Sequence, residues 1–201
     1  MEIVLLKQIC IMFLLIAVGM LLVKTEFLSE RGAKDLGAVL LRAVIPCVVI
    51  KSYITEYSHE RLFEQAESMF LTILALAIAM AVSYLVFGTR RRIEDVAAAF
   101  SNVGFIGIPL IQSVLGDGAI FYLTPLIAVL NILQWTYGVY IMTGDRKSIQ
   151  VKTILTNPVV LSLAAGLLLF ILQNPVPSVV TGALNHMAAM NTPLAMIILG
   201  T

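Results

Sequence analysis

The residue types best suited to chemistry gather in one stretch, VAAAFSNVGFIGIPLIQSVLG over residues 96–116, where Ser101, Asn102, Gly104, Gly107 and Pro109 interrupt an otherwise apolar run. Pro109 lacks an N–H, its ring clashes with the carbonyl of Phe105 in a regular helix, and it disfavours helical dihedrals at Ile108. The expectation is a helix that breaks or kinks at Pro109. A break inside a membrane leaves two half-helix ends at one depth. The first half would offer carbonyls, and the second, with Pro109 at its first position, a positive N-terminus suited to an anion. Asn102 can donate and accept hydrogen bonds without the desolvation cost of a charge, which suits a ligand-binding side chain beside the break. The competing reading is structural: proline kinks are common in membrane helices, and Gly104 with Gly107 would simply allow close helix packing.

Other polar residues carry weaker signals. Asn131 and Gln134 lie about one turn apart in LIAVLNILQWTYGVY and can share a helix face. They either line a cavity or make interhelical hydrogen bonds worth about 1 kcal/mol. Trp135, Tyr137 and Tyr140 read as interface anchors. Asn185, His186 and Asn191 precede Pro193, where a satisfied packing role competes with a place on the cavity. Pro46 in AVIPCVVI would kink its helix and free the carbonyl of Arg42. Asp117 between Gly116 and Gly118 reads as a tight turn.

Enzyme chemistry is disfavoured, since the chain has no H-E-x-x-H, no G-x-S-x-G and no paired buried acids. Cys10 and Cys47 sit in apolar runs without metal-ligand spacing, so no metal and no cofactor is expected. No Asp, Glu or Lys stands in mid-span, so no proton relay is visible, and coupling to H+ or Na+ is left open.

The elements that must position these residues follow from composition. Of 201 residues 60% are hydrophobic and 12% charged, against roughly a quarter charged in soluble domains. The charges cluster between long apolar runs, so the lipid bilayer is the expected solvent. A net charge of +1 gives no footprint for nucleic acid. Apolar runs fall at about 8–23, 36–54, 67–88, 96–115, 119–143, 154–172 and 179–200, each near the roughly 20 residues a span needs. The connectors are residues 24–34, 55–67, 88–95, 116–118, 144–152 and 174–177, the last being Asn174-Pro175-Val176-Pro177. The first run ends in Lys24-Thr25-Glu26 without a cleavage-like site, and reads as a mature span.

Basic residues set the orientation. The first, third and fifth loops hold Lys24, Arg31, Lys34; Arg90, Arg91, Arg92; and Arg146, Lys147, Lys152, whereas the N-terminus and the other loops hold only Lys7, Lys51 and Arg61. The N-terminus is therefore expected outside, with the chain in the cell (plasma) membrane. Glu56, Glu60, Glu64 and Glu67 make the second loop acidic, and Arg42 is expected to snorkel to the cytoplasmic interface.

The string SNVGFIGIPL followed by a Gly-Asp-Gly turn resembles the fourth-span motif of the auxin efflux carrier family. The order of elements is similar too: Pro46 in span two, the basic turn before span four, the linker, and Asn157-Pro158 opening span six. The bacterial members of that family are similar to permeases for malate, malonate and other organic anions. The resemblance implies an all-α polytopic fold of two inverted five-span repeats with crossing broken helices, and a substrate site that includes Asn102. It also places Pro46 on a span that contributes to that site. On this reading residues 1–143 are the first repeat, 144–152 a cytoplasmic linker and 153–201 the start of the second repeat, with NTPLAMIILG around Pro193 echoing the stretch around Pro46. The chain then reads as truncated after about seven spans. The expected function is secondary transport of a small organic anion, such as malate or an auxin-like carboxylate, with a homodimer as the assembly considered. A passive channel and an inactive transporter fragment are the alternatives.

Overall fold

The computed structural model describes residues 2–173 and 175–201 and, within them, all side chains but those of Thr89, Arg146 and Val151. The expectations for Asn174 and for the Arg146 side chain lie outside the described residues. Every described regular element is helical. We number the long helices α1 (Glu2–Lys24), α2 (30–52), α3 (His59–Phe87), α4 (Arg92–Leu115), α5 (Ala119–Thr143), α6 (Pro158–Leu172) and α7 (178–199).

Among the described residues, four of these, α1, α3, α4 and α5, are long and apolar enough to cross a bilayer. The other three expected spans differ. Helix α2 opens with Glu30, Arg31, Lys34 and Asp35, so its first turns are polar rather than apolar. Helix α6 has 15 residues, about 22 Å at 1.5 Å per residue and short of a hydrocarbon core about 30 Å thick. Helix α7 is two pieces, α7a (Ser178–Ala189) and α7b (Asn191–Leu199), that meet at Met190. The acidic residues assigned to the second loop mostly belong to α3, which begins at His59 and carries Glu60, Glu64 and Glu67 in its first turns.

The helix ends follow local chemistry. Ser29 Oγ accepts from Gly32 N at 3.1 Å and Ser58 Oγ from Arg61 N at 3.1 Å, so each closes an N-terminus that would otherwise leave donors unpaired. Asn157 Oδ1 accepts from Val159 N at 2.9 Å, with Pro158 in the first helical position. Helices α4 and α5 end on Gly116 (φ +83°) and Gly144 (φ +72°), positive values that an L side chain rarely adopts.

Both Ile-Pro pairs are accommodated alike. Five-residue π-turns, Leu40–Val44 and Val103–Gly107, immediately precede Ile45-Pro46 and Ile108-Pro109. A wider turn shifts the carbonyl that a proline ring would strike, and tolerates the missing donor. The helix therefore runs through Pro46 and Pro109 instead of stopping. Ile108, with φ −58° and ψ −55°, is fully helical.

Apolar surface is turned outward on α1 and α3, where Ile3, Leu6, Phe13, Phe70, Leu85 and Val86 are exposed. Water would penalise such faces, but lipid does not. Inside, Tyr53, Phe121 and Phe170 form an edge-to-face and tilted cluster with centroids 5.0 to 6.4 Å apart. The Tyr53 hydroxyl lies 2.6 Å from Thr124 Oγ1 and accepts from Gln65 Nε2 at 2.6 Å, tying α2, α5 and α3 together in the core. Close backbone approach replaces hydrophobic driving force where two helices cross in lipid. The backbones of α1 and α7b come so near that a Cβ on Gly200 would lie 2.1 Å from Ile16 O, and one on Gly19 2.1 Å from Ile197 O.

Candidate functional site

Helix α4 is interrupted, but not at Pro109. Its first half, α4a, is Arg92–Ala99, and its second half, α4b, is 103–115. Between them Phe100 is extended (φ −115°, ψ 114°) and Asn102 leaves the helical region (φ −89°, ψ 73°). Sequence reasoning placed the break two turns too late, because proline was the visible signal and the π-turn absorbs its strain. The true break needs no proline. Phe100 turns away from the helix to pack against α5, its ring 6.2 Å from that of Tyr137 and 3.4 Å from where a Cβ on Gly138 would sit.

Asn102 is the hinge of the site. Its Oδ1 accepts from Phe105 N at 3.2 Å and its carbonyl from Ile106 N at 3.2 Å, so this residue, not Pro109, begins the second half-helix. Among the described residues no hydrogen bond engages Asn102 Nδ2 or the N–H groups of Val103 and Gly104. Ser101 and Asn102 are exposed. An unpaired first turn concentrates partial positive charge at a helix start, and the last carbonyls of α4a end at the same gap. The arrangement can receive an anionic group on one side and a cation or donor on the other.

The other expected residues distribute unevenly about this gap. Gly104 faces α2, where a Cβ would lie 3.0 Å from Ile45 Cδ1, next to buried Pro46. The two Ile-Pro elements are thus neighbours. Gly107 faces Val103 of its own turn, 3.1 Å from where its Cβ would be, and Pro109 is buried inside α4b. Asn131 donates to Ile127 O at 2.8 Å on its own helix, the local structural role. Trp135 is exposed and Tyr137 half-buried.

Asp95 and Asn191 are buried polar residues whose surroundings differ from the expectation. Asp95 was assigned to a loop, yet it is fully buried in the first turn of α4a, with Ser83 Oγ 2.6 Å from Oδ1. Asn191 was expected to be a satisfied packing residue or a cavity residue. It is fully buried at the start of α7b, and among the described residues neither its Oδ1 nor its Nδ2 has a partner. That helix packs against both π-turns and α1. Only the proximity of Asn191 to Pro193 marked it in the sequence. His186 and Asn185 are exposed.

Residues 4–154 match the model of a family described as membrane transport protein. No curated protein matches the chain.

Proposed function

Because the chain belongs to the membrane transport protein family, of the auxin efflux carrier type, we propose that it carries a small organic anion, malate or a similar carboxylate, across the plasma membrane as a secondary transporter. The observation that supports this best is the break at 100–102, where Asn102 starts the second half-helix and leaves its Nδ2 and two neighbouring N–H groups unengaged. Backbone of this kind at membrane depth is tolerated where it lines a solvated cavity, and half-helix ends of this kind form substrate sites in many carriers. The carboxylate would be received by the N–H groups of Val103 and Gly104 and by Asn102 Nδ2. The polar donors are neutral, so the loaded site keeps the charge of its cargo, and release needs no ion pair to be broken. The chain crosses the membrane seven times on this reading, with its N-terminus outside and the basic loops in the cytoplasm.

The test separates capping from binding. Asn102→Ser keeps an N-cap oxygen and loses the amide donor, whereas Asn102→Ala loses both. In proteoliposomes loaded with one chain each, Asn102→Ser should raise the KM for malate about tenfold, the worth of one charge-assisted hydrogen bond, with thermal stability unchanged. An unaltered KM in the serine variant would remove Asn102 from the binding site. Uptake that rises linearly with malate, without saturation, would identify a channel instead.

A further inference from the structure

A polar pocket lies away from the break. A pocket of ≈ 380 Å³ opens where α2 ends, α3 begins and the 116–118 turn joins α4 to α5. Lys51, Arg61, Gln112 and Asp117 line it, with Ile120 and Phe121 forming an apolar wall. Its charged lining is two cations and one carboxylate, a net charge of one positive.

The carboxylate already present shows what the pocket holds well. Asp117 Oδ2 accepts from Lys51 Nζ at 2.9 Å, and Asp117 Oδ1 accepts from Gln112 Nε2 at 2.9 Å. One donor on each oxygen is a built carboxylate cradle. Its occupant is loosely tethered: the Asp117 side chain is 64% exposed and sits in a turn whose Gly118 has open space around it. Arg61 is the complementary feature. Its Nη1 donates to Thr55 Oγ1 and to Glu56 O, the latter at 3.1 Å, and among the described residues no carboxylate pairs with it. A guanidinium presents five donors in a planar fork, so an edge of Arg61 stays available for a carboxylate from solution.

We propose that this pocket is a dicarboxylate capture site, in which one carboxylate of the ligand takes the open edge of Arg61 and the other displaces Asp117 from Lys51 and Gln112. Asp117 acts as an internal competitor that keeps the cradle closed until a ligand arrives. The choice of a dicarboxylate rests on the anion-carrier reading above, whereas the site itself is independent of the break in α4. On the proposed orientation it faces the outside, where it would concentrate cargo before transfer.

Succinate titrated calorimetrically into the purified full chain tests this. Arg61→Gln should weaken binding about tenfold or more. Asp117→Asn should tighten it severalfold, because a neutral amide competes poorly for Lys51. Equal affinity in wild type, Arg61→Gln and Asp117→Asn would overturn the proposal. Should Arg61→Gln fail to fold, the direction of the Asp117→Asn effect decides, and weaker binding in that variant counts against the site. Succinate binding with the expected pattern but no malate uptake would keep the pocket and sink the carrier reading. Malate uptake without the pattern would do the reverse.

Discussion

Single side chains explain why two asparagines near helix breaks have opposite prospects. Asn102 spends its oxygen on the helix start and keeps its amide N–H groups free at an exposed gap. Asn191 is fully buried and, among the described residues, both its amide atoms lack a partner, a condition that costs about 1–3 kcal/mol. Replacing Asn191 by Leu, similar in shape and apolar, should therefore raise stability by about 1–3 kcal/mol in thermal unfolding. A fall would mean that the amide has a partner in the working protein. Asp117 gives a pH prediction. The hydrogen bond from Lys51, helped by Gln112 and opposed by partial burial, holds its carboxyl below the usual carboxylate range. A depressed folded value means that its contribution is present above the unfolded pKa and is lost as pH falls through the folded one. The stability difference between wild type and Asp117→Asn should be constant at neutral and mildly acidic pH and vanish only below the ordinary carboxylate range. A difference that fades near pH 6 would contradict the pairing. Asn102 was legible because its neighbours break an apolar run. Lys51 and Asp117 were not legible as partners, since 66 residues separate them and each alone reads as a loop charge.

Among the helices, a proline does not interrupt a membrane span that a π-turn prepares for it. Pro46 and Pro109 were the visible signals, and both lie in continuous helix because a π-turn precedes each. The interruption falls instead at Phe100–Asn102, held open by the packing of Phe100 on α5. Ser101→Cys, with Cys10 and Cys47 replaced by Ala, should thus react with a charged thiol reagent, and adding Pro109→Ala should not protect it. Protection by Pro109→Ala would return the break to the proline. The crossing of α1 and α7b makes a second prediction at this scale. A methyl group on Gly200 would meet Ile16 O at 2.1 Å, whereas one on Gly182 meets nothing within 4 Å. Gly200→Ala should destabilise by about 1–3 kcal/mol, the usual penalty of overpacking, and Gly182→Ala should be neutral in the same chemical or thermal unfolding assay. Helix packing of this kind depends on which glycines meet, and nothing in the local sequence around Gly19 or Gly200 distinguishes them from Gly182.

For the whole molecule, the class was the most legible feature. Long apolar runs separated by charged connectors imply a helical membrane protein, and α1, α3, α4 and α5 meet that description. Residues 30–52, α6 and α7 were harder to read, because charges at the start of a span, a short helix and an internal break each weaken the apolar signal. Transport itself is a property of this assembled scale: α4b lies against α7b, α1 and α5, so the half-helix that Asn102 begins is packed among helices from both ends of the chain. Substrate exchange measures it most directly. Proteoliposomes containing the chain, preloaded with unlabelled malate and diluted into radiolabelled malate, should accumulate label transiently above equilibrium, because a carrier exchanges one bound anion for another. Label that only equilibrates, at a rate independent of internal malate, would contradict a carrier working through the broken helix.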